Sequence, residues 1–319
     1  MTSGGATADG PELAVAAGGR RRTAVSVLAL ALVLVAFGWS LAGRWSEVAE
    51  QLGSQRPGVL VAALATSLAG VYFSFLLWRG TLAVLGTRLD VRPAARLFFV
   101  SQLGKYLPGA VWPVVAQMRM GKALGVPRQR TGLAFLLTLG LATLVGMVLA
   151  VAALPALLEA EGPAALWVLV AVPFVLVLFV PAFVNRLLGL ALRVIRRPGL
   201  DRPLSAREIA EGTGWCLLFW FVYGGHVWLL VMGLGGDPLR SLPVAIGGFA
   251  LAFSLGPLLV VLPAGAGVRE AVLIVLLGTV LTTPAATAVA LTSRLLLMVT
   301  DGLLALAAAL LARRPPPRS

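Results

Sequence analysis

Cysteine and histidine each occur once in this chain of 319 residues, as Cys216 and His226. A lone thiol inside an apolar run excludes an intrachain disulfide and a cysteine-based metal site. With a single imidazole and a single thiol, both in apolar runs, soluble metalloenzyme and Ser-His-Asp readings have almost nothing to stand on. No catalytic residue, metal site or cofactor is therefore expected. Lysine is nearly absent too: Lys105 and Lys122 are the only two, and the remaining basic charge is arginine. Acidic residues number 13 against 26 basic ones, which leaves a net charge of +13. That surplus falls in short clusters between apolar runs and not in a stripe with interleaved aromatics. It speaks for membrane topology and a lipid surface, with no nucleic-acid partner.

Only 12% of the residues are charged and 59% are hydrophobic. Polar side chains are too few to cover a soluble globule of this size, and the chain reads as an all-α polytopic integral membrane protein. Residues 1–19 are rich in Gly, Ala and Thr without periodicity and read as a disordered cytoplasmic tail. Arg20-Arg21-Arg22 precedes an apolar run over 23–43 that is too long for the core of a signal peptide, so an uncleaved anchor is expected. Further runs of membrane-spanning length fall near 58–78, 131–154, 165–185, 213–235, 241–262 and 285–311, with a shorter one near 267–281. Placing the N-terminus inside puts the arginine-rich stretches 79–130 and 186–207 in the cytoplasm and Glu159 and Glu161 outside. About eight crossings are expected, within one transmembrane domain over 20–312 of the cytoplasmic membrane, with both ends cytoplasmic and a short tail at 313–319.

Two interruptions break this pattern. In the second half, Pro263-Ala264-Gly265-Ala266-Gly267-Val268-Arg269-Glu270 places a helix-stopping proline, two permissive glycines and two ionisable residues between apolar runs. In the first half, Lys105-Tyr106-Leu107-Pro108-Gly109-Ala110-Val111-Trp112-Pro113 holds the corresponding place. Paired Gly/Pro breaks in two halves point to a transport site built from discontinuous helices and raise an inverted repeat as an option. The segment 94–118 reads as a re-entrant element dipping from the cytoplasm, and 262–281 as a broken helix. Irregular backbone of this kind has to be packed in protein or line a wet cavity.

A helix restarting near Val268 would point its unpaired first-turn N–H groups into the break, where Arg269 adds a fork of donors, together a seat for a phosphate. The competing reading is an interfacial loop whose Arg269 snorkels to water. Glu270 is expected to orient or neutralise that arginine when no ligand is bound. Lys105 and Tyr106 would supply a second cation and an amphipathic ring, with Trp112 either assisting them or anchoring at the interface. Arg119 is a weaker candidate, since a positive-inside role explains it as well. Arg294 and Asp301 stand seven residues apart on one face of the last span, where ionisable groups generally face a bundle interior. They are too far apart to touch and are expected to bracket a water or a third group, Glu270 or Arg269 being candidates, unless they serve a purely structural network within the helix. His226 reads as a packing residue more readily than as a proton relay, and Gly224-Gly225 and Gly247-Gly248 as places of close helix approach.

By these residues the chain resembles a known family. Leu262-Pro263-Ala264-Gly265-Ala266-Gly267-Val268-Arg269-Glu270-Ala271 is similar to the Pro-x-Gly-x-Gly-x-Arg-Glu signature of the lysylphosphatidylglycerol synthase transmembrane family, also called flippase-like. Gly104-Lys105-Tyr106-Leu107-Pro108-Gly109 resembles that family's earlier break, and the likeness spans most of residues 23–311. Where many members carry an acidic residue and an arginine shortly after the Leu-Pro, this chain has Pro113 and Ala116. The resemblance implies a stand-alone membrane domain, without the aminoacyltransferase of the family's two-part enzymes, that moves a lipid between leaflets.

The combined expectation is a flippase for an anionic phospholipid or a polyprenyl-linked head group. Its substrate-binding residues would be Lys105, Tyr106, Pro108, Gly109, Trp112, Arg119, Gly265, Gly267, Arg269, Glu270, Arg294 and Asp301. Two other classes stay open. An accessory subunit of a lipid-modifying enzyme would tolerate changes at Arg269 and Asp301. A membrane-embedded glycosyltransferase would need Glu159 and Glu161, although two glutamates in a short Gly/Pro loop are more often solvated charge.

Overall fold

A computed structural model describes residues 45–107, 111–162, 186, 205–256 and 267–311. Every element among them is helical. In chain order they are α1 (Trp45–Gly53), α2 (Pro57–Val84), α3 (Val91–Gln102), a 3-10 turn (Leu103–Tyr106), α4 (Trp112–Ala123) and α5 (Arg128–Ala150). A second 3-10 turn (Val151–Ala153) leads into α6 (Leu154–Glu161). There follow α7 (Ala206–Gly233), α8 (Pro238–Leu255), α9 (Val268–Leu277) and α10 (Thr283–Leu311). Five stretches are long and apolar enough to cross a bilayer: Pro57–Val84, Arg128–Ala156, Ala206–Gly233, Pro238–Leu255 and Thr283–Leu311. The expected crossings at 23–43 and 165–185, and both tails, lie outside the described residues.

Local chemistry sets several of these boundaries. α7 begins seven residues before the expected 213 because Ser205 and Glu208 form a capping box. The Ser205 hydroxyl accepts from the Glu208 N–H at 3.2 Å, while the Ser205 N–H donates to the Glu208 carboxylate at 2.9 Å. Such caps contribute about 1 kcal/mol. α8 is approached closely by two neighbours: a Cβ on Gly224 of α7 would lie 3.0 Å from the Ile246 Cα, and one on Gly247 would lie 2.7 Å from the Leu149 carbonyl oxygen of α5. Gly225, by contrast, faces open space. Around these contacts Trp78, Trp220, Tyr223, Phe75, Phe98 and Phe249 are fully buried.

α3 and α4 pack against each other as the two arms of a hairpin, running from Val91 to Ala123 where the sequence suggested 94–118. Its two ends lie together: Asp90, Arg92 and Arg96 share one surface cleft with Ala123, Leu124 and the C-terminal Leu311 of α10. Its tip meets α10 at Asp301, ten residues short of Leu311, a depth of about 15 Å at 1.5 Å per residue. From the opposite end of α10, Arg294 lies eleven residues beyond Thr283 and meets the start of α9, again about 16 Å deep. Both breaks thus reach the middle of the same span from opposite faces.

The packing carries an inverted repeat. Exchanging α2 with α7, α3 with α8, α4 with α9 and α5 with α10 maps the neighbour pattern onto itself. The pairing α3–α10 becomes α8–α5, α4–α5 becomes α9–α10, α2–α10 becomes α7–α5, and the central α2–α7 pair becomes itself. The two faces differ in charge. One gathers Arg79, Arg88, Arg92, Arg96, Arg119, Lys122, Arg128, Arg130 and Arg207 with Asp90, Glu208 and Glu211, and there the Arg130 guanidinium donates to the Gly86 carbonyl at 3.0 Å. The other holds Arg56 and Arg240 with Glu50, Glu159 and Asp237, and Arg240 pairs with Glu159 at 3.4 Å.

Candidate functional site

At the first tip, a Cβ on Gly104 would lie 2.9 Å from the Pro113 nitrogen, so the 3-10 turn folds back tightly on the first turn of α4. This presents Lys105 and Tyr106 to α10. The Lys105 Nζ lies 2.7 Å from Asp301 Oδ2, and the Tyr106 hydroxyl donates to that same oxygen at 2.5 Å. Asp301 is 2% exposed, so its charge is compensated locally by an ammonium and a phenol.

At the second break, Gly267 sits at φ 86°, in the left-handed region that a side chain resists. Its N–H donates to the Glu270 carboxylate at 2.6 Å, and the other carboxylate oxygen accepts from the Arg294 guanidinium. Glu270 therefore neutralises Arg294, where the sequence suggested Arg269. The reason is angular: adjacent residues on a helix do not face each other. Glu270 turns to α10, while Arg269 turns to α8 and lays its guanidinium over the rings of Phe249 and Phe253, at 5.0 and 5.5 Å. Arg269 is 9% exposed. Among the described residues it has neither an ion pair nor a hydrogen bond.

These groups meet in one cavity of about 220 Å³, into which Lys105, Tyr106, Arg269, Arg294 and Asp301 project. Glu270 stands behind Arg294, and Gly267 occupies the N-cap position of α9. The remaining wall is mostly aromatic and aliphatic, with Trp78, Phe98, Phe135, Phe219, Tyr223 and Phe253 among its members. Two polar features were not anticipated. The Thr138 hydroxyl lines the cavity and has no partner among the described residues. The wall residue Trp78 donates its indole N–H to buried Gln117 at 3.0 Å. Tyr223, Trp78 and Phe253 gave no sequence signal, because an aromatic in an apolar span reads as packing. Phe249 and Phe253, four apart and one helical turn from each other, were the one available cue to a cation's resting place.

Other candidates fall elsewhere. Trp112 opens α4 at 44% exposure and is not part of the cavity wall. Arg119, further along α4, is exposed toward the basic face, so it does not substitute for the missing acidic and arginine positions of the first break. Pro108, Gly109 and Gly265 lie outside the described residues. His226 is fully buried, its Nδ1–H donating to the Tyr223 carbonyl and its Nε2 accepting from the Ser293 hydroxyl at 2.8 Å, which ties α7 to α10. No group of three or more metal-ligating side chains occurs among the described residues.

Five stretches long and apolar enough to cross a bilayer, with a charged cavity enclosed among Lys105, Tyr106, Arg269, Arg294 and Asp301, define a multi-pass membrane protein with a polar site among its helices. Residues 26–305 match the family described as the lysylphosphatidylglycerol synthase TM region, and the chain belongs to it. Comparison with curated proteins finds no match.

Proposed function

We propose that the chain is a lipid transporter that binds an anionic head group in the cavity between the two tips and carries it across the cytoplasmic membrane. The observation behind this reading is the buried guanidinium of Arg269, which has no ion pair or hydrogen bond among the described residues. Desolvating a charge without a counter-ion is expensive, and the cost is recovered when an anion arrives. Arg269 and the open N–H groups at the start of α9 would hold the phosphate. Lys105, Asp301, Glu270 and Arg294 would keep the empty cavity close to neutral, and Tyr106 would orient Asp301. The aromatic wall suits the glycerol and upper acyl region of a lipid whose chains remain in the bilayer.

The basic face is assigned to the cytoplasm, which returns α10 to that side and makes the C-terminus cytoplasmic. Rocking of one repeat against the other about the shared span α10 would expose the cavity to each face in turn. Glu159, already engaged on the surface with Arg240, is poorly disposed for glycosyl transfer. The test is transport of a fluorescent anionic phospholipid in vesicles containing the purified protein. Arg269→Ala should slow it about ten- to a hundredfold, the range expected when a charge-assisted contact is lost, while the protein remains folded. Unchanged transport would remove Arg269 from the mechanism.

A further inference from the structure

Among the described residues, the charged side chains in and directly behind the cavity are Lys105, Arg269 and Arg294 against Glu270 and Asp301, with Lys105 paired to Asp301 and Arg294 paired to Glu270. The sum is +1, located on Arg269. His226 adds nothing, because the neutral ring satisfies both of its contacts.

From this sum we infer that the site selects lipids by charge number, taking a head group with one net negative charge on a phosphodiester and discriminating against phosphomonoester and diphosphate lipids. This rests on the transporter reading above and narrows it. A monoanion makes the occupied cavity neutral. A dianion leaves one uncompensated negative charge against an apolar, aromatic wall. To recruit a second cation it would have to break Lys105 from Asp301 or Arg294 from Glu270, stranding a buried carboxylate each time. A zwitterionic head group leaves the +1 uncancelled. Of the two substrate classes suggested by sequence, the phospholipid is thus favoured over the diphosphate-linked polyprenol.

The test uses the full chain in phosphatidylcholine vesicles with three fluorescent lipids of identical acyl chains: phosphatidylglycerol, phosphatidate and phosphatidylcholine. Raising the pH from about 5.5 to about 8 strips the second proton from a phosphomonoester and increases the dianionic share of phosphatidate, while phosphatidylglycerol stays a monoanion. Phosphatidylglycerol should then move at least about tenfold faster than either of the others. On lowering the pH to about 5.5, phosphatidate becomes a monoanion and its rate relative to phosphatidylglycerol should rise. Glu270→Gln keeps an acceptor for the Gly267 N–H, adds one net positive charge and should narrow the preference at about pH 8. The wild-type ratios decide the matter if that variant does not fold. Phosphatidate moving as fast as phosphatidylglycerol at about pH 8, or a ratio indifferent to pH, overturns charge selection and leaves the transporter reading standing. Movement of none of the three overturns both.

Discussion

Two neighbouring residues in the first turn of α9 have opposite duties. Glu270 is structural: it satisfies the Gly267 N–H and holds Arg294, so Glu270→Ala should strand a buried guanidinium and cost about 3–5 kcal/mol. A thermal or denaturant melt of the detergent-solubilised protein measures that loss. Arg269 instead spends its contacts on two aromatic faces. Arg269→Lys keeps the charge but loses the planar fork and its stacking, and should retain transport only partially, with apparent affinity for the anionic lipid reduced about tenfold. Much of this residue-level picture was legible in the sequence, because an ionisable side chain within an apolar run is conspicuous wherever it falls. The pairing was not legible. Lys105 and Asp301 are 196 positions apart, and nothing local says that Asp301 answers Lys105 while Glu270 passes over Arg269 for Arg294.

At the scale of elements, the re-entrant hairpin α3–α4 makes the sharpest claim. Both of its ends open on the basic face, so single cysteines replacing Arg92 and Lys122 should react with an impermeant thiol reagent from the same side of sealed vesicles. A cysteine replacing Arg240 should react from the other side. The native Cys216 is buried and gives little background. If residues 94–118 crossed the bilayer, positions 92 and 122 would react from opposite sides. The sequence marked this element through Lys105 and Pro108 interrupting a short apolar stretch flanked by basic residues. Its ends were misjudged by a few residues because α3 begins at Val91 and α4 continues to Ala123, where amphipathic turns at the membrane surface carry no abrupt change of composition. The α7 start is written in Ser205-x-x-Glu208, a polar capping signal that lies ahead of the apolar run and leaves no mark on its hydrophobicity.

For the whole molecule, the inverted repeat explains why two unrelated-looking sequences, one centred on Lys105-Tyr106 and the other on Arg269-Glu270, converge on one span. Each half sends a broken hairpin to mid-depth, and α10 receives both, presenting Asp301 to one tip and Arg294 to the other. The cavity is thus built by tertiary packing of segments distant in the chain, and its central feature is a sum over the described residues: three cations, two carboxylates and one charge left over. Native mass spectrometry of the gently solubilised protein tests that sum most directly. The wild type should retain one tightly held anionic phospholipid, and Arg269→Ala should lose it while keeping its melting temperature. Equal retention of the anionic lipid by both proteins would contradict the account.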